Sequence, residues 1–205
     1  MLNRFLTLIT WVTHPLLVPT YIIILLFASD TYLSYTISPV LQRIILLTVF
    51  VLTFLMPLIS SVLILRRNGI HSLMMEDRQS RNVPYFFTLI YYLACYYFLL
   101  KMPVSSVIKV LILAAACCIA LAFLINFFWK ISIHLIGLGG MTGAFYVLSQ
   151  ILGSEFIAPF IFCLILSGLV ASARLAHQAH TPAQLYVGFA AGFLCEHFFI
   201  LLALR

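Results

Sequence analysis

Seven long apolar runs follow one another along this chain with almost no charge inside them, and that succession limits the fold more than any other feature. They cover approximately residues 5–28, 40–65, 84–100, 104–128, 132–152, 156–173 and 183–203. A membrane-spanning helix needs about 20 apolar residues, so each run is of the right order. Charged residues make up only 8% of the chain, 64% is hydrophobic, and mean hydropathy is +1.18. A water-soluble domain of this size could not cover its surface from so small a polar supply. The expected fold is therefore an all-α integral membrane protein, a compact bundle of six to seven transmembrane helices. Residues 1–205 form a single polytopic membrane domain, joined by short loops.

The first run contains His14, Pro15 and Pro19, which predict a kinked or broken helix. It is too long for a signal peptide and has no small-residue cleavage site. Cys95, Cys117, Cys118, Cys163 and Cys195 all lie in apolar runs without metal-knuckle spacing, which reads as small core packers. The tyrosines of the third run, at 85, 91, 92, 96 and 97, suggest an interfacial belt. No basic stretch interleaved with loop aromatics suggests nucleic-acid binding. The net charge of +6, scattered over helix ends, suits anionic lipid headgroups and makes the lipid bilayer the partner.

Threading the runs alternately through a membrane gathers residues 66–84, 129–134 and 174–182 on one side. That side collects most of the arginines and histidines, while Asp30, Lys101 and Glu155 fall opposite. Within it, His134 sits one turn into an apolar helix, and Arg174, His177, His180 and Gln184 crowd the stretch "ARLAHQAHTPAQLYVGFAAG". Ionisable groups at membrane depth point to function. Thr181 is placed to cap the last helix and Pro182 to begin it, with Gln184 within reach of His180. A helix N-terminus beside an arginine fork is a setting for phosphate.

Three further patterns bear on function. Lys109 and Glu196 are buried charges that would pair and lock two spans together, or mark an ion path in a transporter. His134, His177 and His180 supply three imidazoles to a metal-site reading. Gly139 with Gly143, and Gly188 with Gly192, form two G-x-x-x-G pairs suited to close helix packing, which would bring His134 and His180 together.

These residues resemble the motifs of the type 2 phosphatidic acid phosphatase (PAP2) superfamily over roughly residues 76–192, leaving 1–65 as two leading spans. The third motif of that family, S-R-x5-H-x3-D, is similar to Ala173-Arg174, five residues, His180, three residues, Gln184, with Gly188 following. The second, P-S-G-H, is similar to "ISIH" with Ser132 and His134. The first, K-x6-R-P, is matched only by Arg78 and Arg81 ahead of Pro84. The resemblance implies a PAP2-like helical core and a hydrolase acting on a lipid phosphate, without metal or other cofactor. It gives His180 the role of nucleophile and His134 that of proton donor to the leaving group. Arg174, Arg78, Arg81 and Ser132 would hold the phosphate oxygens. Gln184 replaces the aspartate that orients the nucleophile, so the implied enzyme is slow or degenerate. A non-catalytic lipid-phosphate binding protein, transporter or scramblase is the alternative. Phosphatidate, phosphatidylglycerol phosphate, a prenyl diphosphate and a lipid A phosphate all fit. The expected location is a bacterial inner membrane. The charge distribution places the site in the cytoplasm, and the resemblance places it in the periplasm.

Overall fold

The computed structural model describes residues 8–67 and 79–203. Among them there is no strand, and six helices are long and apolar enough to cross a membrane. The protein is an all-α membrane bundle. Its outward faces carry residues such as Leu47, Leu63, Phe162 and Ile165, all exposed. Lipid solvates such faces as readily as a protein core would, so they need no partner helix.

The first span, Leu8–Ala28, is broken as the sequence predicts. His14 precedes a proline and adopts φ −58°, ψ 130°, outside the helical region. A 3-10 turn, Pro15–Leu17, then leads into α1, Val18–Ala28. The short α2, Tyr32–Thr36, crosses to α3, Pro39–Phe50. A π-helical turn, Val51–Leu55, joins α3 to α4, Met56–Arg67, and together they make the second span. Buried Thr53 in this turn donates its hydroxyl to the Leu16 carbonyl at 3.4 Å. The irregularities of the two spans thus lean on one another, which is how broken backbone is satisfied away from water.

The remaining helices are α5 (Asn82–Leu100), α6 (Ser106–Asn126), α7 (Ile133–Ile151), α8 (Ile157–Ala176) and α9 (Pro182–Ala203). The fifth apolar run became α7, which is absent from the six lipid-competent spans for a physical reason. Twelve of its residues are buried, so it faces protein and is free to carry glycines, Thr142 and His134. Its tightest neighbour is α9. A Cβ on Gly139 or Gly143 would run into the backbone of Phe189 or Phe193, and one on Gly192 into the Ile136 carbonyl. A Cβ on Gly188 would lie 2.9 Å from the Ser132 backbone carbonyl oxygen. The two G-x-x-x-G faces therefore interlock, as their spacing predicts.

Two expectations need correction. Tyr85 and Tyr92 are buried inside the bundle rather than belted at the interface, whereas exposed Tyr97 lies under the Lys101 ammonium, 5.3 Å from the ring centroid. Lys109 and Glu196 form no ion pair. Lys109 is near the start of α6, while Glu196 packs at the level of Gly140 and Cys118, nine residues further along that helix. The rise is about 13 Å at 1.5 Å per residue, which separates the two charges. The five cysteines are free and at least partly buried, as expected of packers.

Candidate functional site

One end of the bundle gathers the starts of α5, α7 and α9 and the ends of α6 and α8. Asn126 donates to Asn82 at 2.7 Å, clipping α6 to α5 beside Arg81. The backbone N–H of Ser132 reaches the Gln184 carbonyl at 3.4 Å, tying the start of α7 to that of α9. The tight α7–α9 packing just below holds these two starts in register.

The start of α9 is a capping box. The Gln184 N–H points to Thr181 Oγ1 at 3.5 Å, and the Gln184 side-chain oxygen accepts from the Thr181 N–H at 3.2 Å. The same oxygen lies 3.0 Å from His180 Nδ1. Because the Thr181 N–H can only donate, the shared atom is an acceptor, and His180 Nδ1 must carry the proton. That leaves Nε2 of His180 with its lone pair. His180 is 7% exposed. Burial holds its pKa down to about 4; the Gln184 hydrogen bond works in the opposite direction, and the charges of Arg174, Arg81 and Lys130 add to the lowering. The imidazole is neutral at neutral pH.

Two guanidiniums flank it. Arg81, from the 3-10 turn ahead of α5, and Arg174, in the last turn of α8, are both buried, at 6% and 8% exposure. Tyr85 lies close to both. His134 shares this electrostatic neighbourhood with Arg174, His14, His180 and Arg81. Several enclosed polar atoms here have no hydrogen-bond partner: Ser132 Oγ, His134 Nδ1 and Arg174 Nε. Ser132 is the N-cap residue of α7, yet its hydroxyl makes no capping bond. Buried polar groups are ordinarily paired, and unpaired ones together call for a ligand or water. Positive charge and free donors concentrated in one place suit a tetrahedral oxyanion.

The structure therefore brings together His180, Gln184, Arg174, Ser132, His134 and Arg81, all singled out from sequence. Arg78 lies outside the described residues. His177 does not join the cluster; it is exposed at the C-cap of α8, just before Gln178 turns through φ 51°. Among the described residues no three His, Cys, Asp or Glu side chains gather as a metal site would need. Sequence reasoning missed His14, whose ring meets the edge of His134 with centroids 5.9 Å apart. A histidine deep in an apolar run was the available signal, as it was for His134. His14 Nδ1 accepts the Leu16 N–H at 3.3 Å, so its neutral ring carries hydrogen on Nε2. Compared with known proteins, the chain matches no protein-family model, no curated protein and no solved structure.

Proposed function

We propose that the basic end of this bundle binds the phosphate of a membrane lipid, and that the chain is a divergent PAP2-type phosphatase working through a phosphohistidine. The observation that carries the reading is the joint burial of Arg81 and Arg174 around His180, with Ser132 Oγ and Arg174 Nε unpartnered beside them. In this scheme His180 Nε2 attacks phosphorus and the ester P–O bond breaks. The leaving oxygen takes a proton from His134. Water then attacks the phosphohistidine, His134 recovers a proton, and inorganic phosphate departs. Arg174, Arg81 and Ser132 Oγ hold the equatorial oxygens throughout, since a loose phosphoryl transition state needs positioning and positive charge above all.

Gln184 supports the orientation of His180 through the 3.0 Å contact, but as a neutral amide it compensates little of the charge the ring acquires. In a serine triad the analogous amide replacement costs about 10⁴ in rate. This favours a slow enzyme, and it also gives weight to the second reading, a lipid-phosphate binder, transporter or scramblase that keeps the pocket without turnover. The proposed setting is a bacterial inner membrane, with the site on the periplasmic side.

The test is phosphate release by the purified protein in mixed micelles of phosphatidate, phosphatidylglycerol phosphate, a prenyl diphosphate or a lipid A phosphate. Release from one of them that vanishes in His180→Ala supports the enzyme. Binding of these lipids without release from any of them selects the second reading.

A further inference from the structure

Below the phosphate cluster, α7 opens a second polar feature that shares only His134 with the proposed chemistry. His134, Gly137 and Gly140 follow at three-residue steps along one face of the helix, about 9 Å from first to last. The two glycines leave room there. A Cβ on Gly137 would sit 3.2 Å from the Pro15 side chain, and one on Gly140 3.2 Å from Glu196 Cγ. Between them is a cavity of about 30 Å³, lined by Pro15 and Pro19 of the broken span, Tyr92, Ile133, Gly137 and Glu196. That is room for a water molecule or two. Glu196 is 2% exposed, and its Oε2 is enclosed without a hydrogen-bond partner.

A bare carboxylate in this position would be very costly, because nothing nearby neutralises it. The titratable groups facing it are Tyr92 from α5, Cys117 and Cys118 from α6, and Cys195 beside it on α9; none of them is a cation. On α7 it packs against Gly140, with Gly137, Ile133 and Ile136 lining the same cavity, and the first span presents prolines and Val18 to it. Water and a proton are the ligands that fit so small a site and satisfy an oxygen acceptor.

We propose that Glu196 is a proton-binding site in the membrane interior, and that water in the glycine slot connects it to the His14–His134 pair. The carboxyl Oε2–H donates to slot water, and along that water protons exchange between the carboxyl and an imidazole N–H, one passing each way, so that both groups stay neutral and no electron is transferred. The break at His14-Pro15 then has a use: it places one histidine and the rim of the slot at the same depth. The proposal does not depend on phosphate chemistry at His180.

Infrared difference spectroscopy of the full chain in lipid nanodiscs, wild type against Glu196→Gln, tests it near neutral pH. The expected result is a protonated-carboxyl C=O band in the wild type that is lost in E196Q and shifts in D2O. A carboxylate signature instead, or a band that comes and goes with sodium or potassium, overturns the proposal. Gly137→Ala, which keeps Glu196 and narrows the slot, should slow the D2O shift of that band several-fold. An unchanged rate in G137A overturns the connection to the histidine pair. Both variants are compared with wild type by thermal unfolding, and the G137A arm stands if E196Q fails to fold.

Discussion

His180 should titrate near pH 4 in the folded protein, well below the ordinary histidine value of 6.5. The perturbation is burial at the start of α9, reinforced by Arg174, Arg81 and Lys130 and opposed by the bond to Gln184. As pH falls through 6.5 the unfolded chain takes up a proton that the folded chain refuses until about 4. The unfolded state binds more protons across that window, so stability falls as pH falls. A shift of this size corresponds to about 3 kcal/mol, complete only below the folded pKa. Histidine-selective NMR in micelles reads the titration directly; the chain has six histidines, and the His180 signal is identified by its loss in His180→Asn. Removing one nearby charge with Arg174→Met should raise the value. A His180 that titrates at 6.5 or above in the folded wild type would refute the reasoning, because it would mean a solvated ring or a carboxylate beside it.

Other consequences follow from the same geometry. Gln184→Asp should raise the His180 pKa and, on the phosphatase reading, increase phosphate release by about tenfold or more, since a full negative charge then faces the imidazolium; unchanged release would argue against a nucleophilic His180. Gly192→Ala should cost about 3 kcal/mol or prevent folding, because its Cβ meets the Ile136 carbonyl across the α7–α9 contact, as judged by thermal unfolding in detergent. Gly168→Ala, where nothing lies within 4 Å, should be neutral or stabilise by about 0.5–1 kcal/mol in the same assay. Ser132→Ala should leave thermal unfolding nearly unchanged while weakening lipid-phosphate affinity, because its hydroxyl makes no internal bond to lose.

Much of this arrangement is legible in the sequence because membrane helices announce themselves locally. Apolar length gave the spans, His14-Pro15 gave the break, and Thr181-Pro182 with Gln184 gave the capped start of α9. Alternate threading then placed Ser132, His134, Arg174 and His180 at one end without any knowledge of packing. What stayed hidden depends on rotation about helix axes. Nothing in the spacing says that His14 turns its ring to His134, or that Tyr85 and Tyr92 face inward while Tyr97 faces out. The Lys109–Glu196 pairing failed for a related reason: distance from a helix end is a poor guide to depth when flanking loops differ, and Glu196 lies beside Gly140 instead. The least apolar run became the most enclosed helix, which hydropathy alone ranks as the weakest span.

Binding of a short-chain lipid phosphate, with inorganic phosphate as competitor, tests the central claim most directly when wild type is compared with Arg174→Met by calorimetry in micelles. The account predicts binding to the wild type that inorganic phosphate displaces and that the variant loses, because Arg174 is a buried cation whose Nε has no partner inside the protein. Equal affinity in both proteins, or binding indifferent to phosphate, would contradict a phosphate site at this end of the bundle.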